Sequence, residues 1–140
     1  MMPLRPIALS ALLALCALAA AAQAPDTASV PLSAEEFAAR VQGRTLTYQS
    51  GGAPYGKERY GPDRQVTWSF LDGRCLDGEW YPNAGAICFA YEDGTGPECW
   101  HFYEEGGRLS AAFVNDPEVP QLYETQDSDT PLFCQPEAGV

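Results

Sequence analysis

Few side chains in this sequence carry the chemistry of a catalyst. His101 is the only histidine, and as a general base it needs a nucleophile and an orienting carboxylate that no spacing in the chain supplies. Glu104-Glu105, Asp127 with Asp129 and Glu35-Glu36 are carboxylate pairs of the kind that hydrolyse glycosidic bonds, yet among 19 acidic residues such pairs arise from composition alone. Asp127-Ser128-Asp129 lacks the glycine and closing glutamate of a calcium loop. Gly94-Thr95-Gly96-Pro97 neither follows a nucleotide-binding strand nor opens a helix, so it is no phosphate cradle. With no C-x-x-C pair and a single histidine, zinc and redox sites lack their ligands. The expectation is a chain with no catalytic residues, no metal and no cofactor.

What remains is sulfur and aromatic rings. Cys75, Cys88, Cys99 and Cys134 allow three pairings. Between Ile87 and Trp100, two strand-like runs flank an Asp93-Gly94 turn, and a hairpin symmetric about that turn sets Cys88 opposite Cys99. Cβ atoms so placed are close enough for a disulfide. Cys75 is then left for Cys134, fastening the C-terminal segment to the sheet. On the chain-entropy model the shorter loop stabilises by about 3 kcal/mol and the longer by about 4 kcal/mol. Trp68, Phe70, Trp80, Phe89, Trp100 and Phe102 are the candidate lining of an interior that either holds an apolar ligand or is filled by the rings themselves. Filling is the default for a small barrel, and a void on the order of several hundred cubic ångströms would mark the alternative.

These groups need a scaffold, and the turn signals define one. Gly51-Gly52, Gly61-Pro62-Asp63, Asp72-Gly73, Asp77-Gly78, Pro82-Asn83, Asp93-Gly94, Gly106-Gly107 and Asn115-Asp116-Pro117 punctuate the chain at the spacing of an antiparallel meander. The candidate strands between them are 45–49, 56–60, 66–71, 78–81, 86–91, 98–103, 109–114 and 121–124. Alternation puts Val66, Trp68 and Phe70 on one face and lets Ile87, Phe89 and Tyr91 face Trp100 and Phe102, which points His101 away from those rings. Ser33-Ala34-Glu35-Glu36 reads as a capping box. Phe37, Ala38 and Val41 continue it as an apolar helical stripe, and Gly43 takes the left-handed turn that ends it. So short a helix must dock on the sheet to persist. The predicted fold is mainly β: a small antiparallel β-barrel of about eight strands, lipocalin-like or inhibitor-like, with one N-terminal α-helix and two disulfides. A two-sheet sandwich is the alternative.

The opening residues supply an address. Arg5, an apolar run from Ile7 to Leu18 too short to span a bilayer, and small residues after it read as a secretory signal cleaved after Ala22. Cys16 falls in the discarded segment, since a lipoprotein would need a small residue where Leu15 stands. Cleavage leaves 140 − 22 = 118 residues, one domain by length. The expected organisation is a signal peptide over 1–22, a disordered segment over 23–31, one barrel domain over 32–136 and a tail over 137–140. Losing Arg5 changes the formal charge from −11 to 7 − 19 = −12. That field disfavours nucleic acid and anionic lipid and favours cationic partners. The expected location is the oxidising periplasm, and the expected state is a monomer with no membrane span.

Gly43-Arg44-Thr45-Leu46-Thr47-Tyr48, Tyr55-Gly56 with Glu58-Arg59-Tyr60, Trp68-Ser69-Phe70, Gly78-Glu79-Trp80-Tyr81, Ile87-Cys88-Phe89-Ala90-Tyr91, Cys99-Trp100 and Pro131-Leu132-Phe133-Cys134 resemble a family of small exported β-rich proteins of Gram-negative bacteria. The likeness spans about residues 32–136 and implies a periplasmic β-rich module of unknown role, with no catalytic residues to transfer. A narrower stretch, Ser50-Gly51-Gly52-Ala53-Pro54-Tyr55, resembles the Ser-Gly-x-x-Tyr loop of periplasmic lysozyme inhibitors, one residue longer. It implies a binding loop carried by Ser50, Gly51, Gly52 and Tyr55, aimed at a cationic enzyme. The functional expectation is therefore a non-enzymatic binding module for a periplasmic or envelope protein. The alternatives are a lysozyme-type enzyme inhibitor and a carrier of a small apolar ligand.

Overall fold

The computed structural model describes residues 29–136. The signal peptide expected over 1–22 with Cys16 and the cleavage point, the first part of the 23–31 segment and the 137–140 tail lie outside the described residues.

A helix, α1 (Ala34–Val41), precedes β1 (Thr45–Ser50), β2 (Ala53–Tyr60), β3 (Gln65–Ser69), β4 (Cys75–Asn83), β5 (Ala86–Tyr91), β6 (Glu98–Glu105), β7 (Arg108–Phe113) and β8 (Leu122–Glu124). Each strand pairs antiparallel with the next, and β8 pairs back onto β1, so the meander closes into a barrel. Closure removes both sheet edges, which a sandwich would leave open. All the expected strands form, and the helix lies ahead of them, beginning at Ala34 rather than at the chain terminus.

Two boundaries move by three residues, the rest by two or fewer. β2 begins at Ala53, because Gly51 and Gly52 both take left-handed φ (56° and 81°) and close a two-residue hairpin. β4 runs straight through Asp77-Gly78, which reads as a turn in sequence. A Cβ at Gly78 would come within 2.5 Å of the Ala90 carbonyl oxygen and 2.8 Å of the Tyr91 ring, so glycine stands there to admit β5 and not to bend the chain.

The capping box forms as expected: the Ser33 hydroxyl accepts from the Glu36 N–H, while the Ser33 N–H donates to the Glu36 carboxylate at 2.8 Å. The helix lies across one end of the barrel. Leu32 N–H donates to the Phe102 carbonyl at 2.7 Å, Gly43 N–H to the Tyr60 carbonyl at 2.9 Å, and Arg40 to the Gly107 carbonyl at 2.8 Å. Its Phe37 ring is fully buried, with centroids 5.1 Å from Trp80, 4.5 Å from Phe102, 5.8 Å from Tyr60 and 6.4 Å from Phe89. Docking that ring supplies the tertiary support a two-turn helix needs.

Cys88 and Cys99 are direct cross-strand partners, bonded with Cα atoms 4.0 Å apart. Cys75 is bonded to Cys134 with Cα atoms 5.6 Å apart. That bond draws the C-terminal segment against the β3–β4 loop, where Gln135 N–H donates to the Gly73 carbonyl at 2.7 Å. Among the described residues, no helix is long and apolar enough to cross a membrane.

Candidate functional site

Register decides which side chains enter the barrel. Glu58 opposes Leu46 on β1 and Trp68 on β3; Trp68 opposes Leu76, Trp80 opposes Phe89, and Ile87 opposes Trp100. These residues therefore share the inward face with Tyr48, Tyr60, Tyr91, Phe102, Ala111 and Leu122. The interior divides into two halves. At the α1 end, Phe37, Val41, Leu46, Val66, Trp80 and Leu109 fill the space. At the opposite end, around the β1–β2, β3–β4 and β5–β6 connections, the packing stops and leaves a cavity of about 250 Å³.

Trp68, Phe70, Phe89, Trp100 and Phe102 line this cavity, together with Tyr48, Tyr60, Tyr91 and Leu122. Trp80 does not line it; its indole is spent against Phe37 at the closed end, with the Arg64 guanidinium 4.9 Å from its ring centre. The mouth is marked by the exposure of Tyr55 (45%) and Phe70 (40%), beside Thr95 and Glu98. Two backbone features shape the opening. Tyr55 is the extra residue of a bulge in β2, since Tyr48 pairs with Gly56 and Gln49 with Pro54. The bulge turns onto the mouth a side chain that strict alternation would send outward, and its ring centre lies 5.6 Å from Trp68. At Gly56 the Trp68 indole lies against the bare backbone, in space a Cβ would occupy.

The lining carries one unexpected group. Glu58 is 2% exposed, and among the described side chains its partner is the Tyr91 hydroxyl, which donates to the two carboxylate oxygens at 3.5 and 3.3 Å. Burial pushes the Glu58 carboxyl well above the ordinary carboxylate range; the Tyr91 hydrogen bond opposes this, and the charge of Glu98 adds to it. Nearby, the Tyr48 and Tyr60 hydroxyls share a buried hydrogen bond of 3.0 Å. Burial is the main cause holding the hydroxyls of Tyr48, Tyr60 and Tyr91 in their protonated form. Among the described residues, no Lys, Arg or His lines the cavity.

The other sequence candidates lie elsewhere. Ser50 is the last residue of β1, paired with Ala53 across the Gly51-Gly52 turn, so the Ser50–Tyr55 stretch is a tight hairpin end. His101 pairs with Ala112 on the outward parity, as expected. The carboxylate pairs have structural partners: Glu36 caps α1, Glu104 lies 3.1 Å from Arg40, and Asp129 lies 2.8 Å from Arg44. Sequence reading missed Glu58, although its spacing from Gly56 and Tyr60 placed it on the same face as both. No family model, curated protein or solved structure matches this chain.

Proposed function

We propose that this protein is a non-enzymatic periplasmic binding module that holds a small ligand in the open half of its barrel. One observation carries the reading: an aromatic cavity of about 250 Å³, just under the several hundred cubic ångströms expected of a ligand pocket, stays open at one end of the barrel while Phe37 and its ring contacts occupy the other. A barrel of this width ordinarily closes over its own side chains. The meander plugged by a helix at one end and hollow at the other is lipocalin-like in plan. Two disulfides suit an oxidising compartment. The inhibitor reading has less support, because Gly51-Gly52 forms a two-residue turn between paired strands and not a projecting loop.

At about 30 Å³ of liquid volume per water-sized unit, the cavity takes a molecule of roughly eight non-hydrogen atoms. With per-atom contributions inside the usual bounds, such a ligand reaches affinities on the order of micromolar. The test is titration with ring-containing fragments of that size, followed by tryptophan fluorescence, in the native chain and in Leu122→Phe, which builds a ring into the cavity from β8. Fragments should perturb the native fluorescence saturably and the variant's not at all. Equal binding by a folded Leu122→Phe protein would place the ligand elsewhere.

A further inference from the structure

We infer that the ligand of this cavity is a small organic cation, an amine or quaternary ammonium group attached to an apolar body, seated with its charge toward Glu58 and Tyr91. The inference rests on the binding-module reading above and concerns the chemistry of that same cavity.

Every ionisable group on the wall is an acid: Glu58, Glu98, Tyr48, Tyr55, Tyr60 and Tyr91. An anionic ligand would lie beside the Glu98 carboxylate and oppose ionisation of Glu58, with no counter-charge on the wall. A wholly apolar ligand would seal Glu58 from water while offering it no partner, and a buried polar group left so costs free energy. A cation meets both needs. It gives Glu58 a counter-ion in a medium where pairing is strong, and the faces of Trp68, Trp100 and the tyrosines attract positive charge. Phe89, Phe102 and Leu122 supply the apolar surface for the rest of the molecule. Arg74, beside Phe70 at the mouth, does not take this place. Arg74 stacks on Phe70 at 4.7 Å and is held outside by Asp72 at 2.7 Å.

Burial favours the protonated form of Glu58 in the empty barrel, while a bound cation favours the carboxylate. Binding therefore expels a proton, and affinity for the cation rises with pH until Glu58 ionises in the free protein. The groups facing Glu58 do not mask this. Tyr48, Tyr60 and Tyr91 stay protonated across the neutral range, and Glu98 acts in the same sense as the ligand's attraction to negative charge.

The experiment compares three probes of nearly equal size by isothermal titration: benzylammonium, benzyl alcohol and benzoate. Benzylammonium should bind at least about tenfold more tightly than benzyl alcohol, a preference that widens as pH rises above 4.5 until Glu58 ionises in the free protein, and benzoate should not bind. Glu58→Gln should erase the preference of benzylammonium over benzyl alcohol, and Glu98→Gln at the mouth should reduce it. Benzyl alcohol binding as well as benzylammonium, benzoate binding, or a preference untouched in both variants overturns the cation inference and leaves the binding module standing. Failure of all three probes to bind overturns the cavity reading itself.

Discussion

Replacing Glu58 with glutamine keeps the shape of the side chain and removes its charge, so it isolates what burying that carboxyl does to the fold. In the unfolded chain Glu58 releases its proton near the ordinary value of 4.5, and in the barrel burial raises that point well above it. Between the two values the folded state binds more protons than the unfolded state, so stability falls as pH rises, by about 1.4 kcal/mol per pH unit. The contribution is complete below pH 4.5 and is lost progressively until Glu58 ionises in the folded protein. Glu58→Gln lacks this dependence, and every other titrating group is common to both proteins. The stability difference, variant minus native, should therefore climb by about 1.4 kcal/mol per pH unit and level off where Glu58 titrates.

Urea unfolding followed by tryptophan fluorescence reads this directly. With a urea dependence of roughly 1–3 kcal/mol per molar, the gap between the two midpoints should widen by about 0.5–1.4 M for each unit of pH. A gap that stays constant with pH would show that the carboxyl titrates normally in the fold and that its surroundings are wet. That result would refute the reasoning from burial.

Two further outcomes follow from the packing. Phe37→Ala removes the fully buried ring that stops the closed end, and should lower the unfolding free energy by about 3–5 kcal/mol in the same urea assay. The double change Cys75→Ser with Cys134→Ser should cost about 4 kcal/mol and raise amide exchange at Gln135, whose N–H is held on Gly73 beside the bond.

The sequence is most legible where structure is made locally. The capping box at Ser33 and Glu36 needs only neighbours three positions apart, and the Cys88–Cys99 pairing needs only a hairpin register. Legibility fails where a distant group decides. Gly51-Gly52 with Ala53-Pro54 looks like one loop, because nothing local announces that a bulge at Tyr55 lets Pro54 pair with Gln49. Asp77-Gly78 carries a turn signature, yet the Tyr91 ring and Ala90 carbonyl claim the space a side chain would take. Glu58 is the clearest case. Composition rules send carboxylates outward, and only the register of β2 between Leu46 and Trp68, with Tyr91 reaching over from β5, explains one held inside.

The hollow end and the disulfides belong to one argument. An empty apolar void destabilises by about 24 cal/mol per Å³, so about 250 Å³ sets an upper figure of about 6 kcal/mol, reduced by water entering past Tyr55 and Phe70. The chain-entropy contributions of the two bridges, about 3 and about 4 kcal/mol, are of that size. The Cys75–Cys134 bridge is placed at that end, where Cys75 opens β4 beside the β3–β4 loop, while Cys88–Cys99 joins the third residue of β5 to the second of β6 further into the wall. The closed end has no cross-link among its described residues and holds through Phe37 and its ring contacts. Covalent closure thus stands where side-chain packing is missing, as expected of a barrel that keeps half its interior clear for something other than itself. Reduction should accordingly loosen the mouth before it loosens the helix, with amide protection at Glu98 and Cys99 falling ahead of that at Phe37.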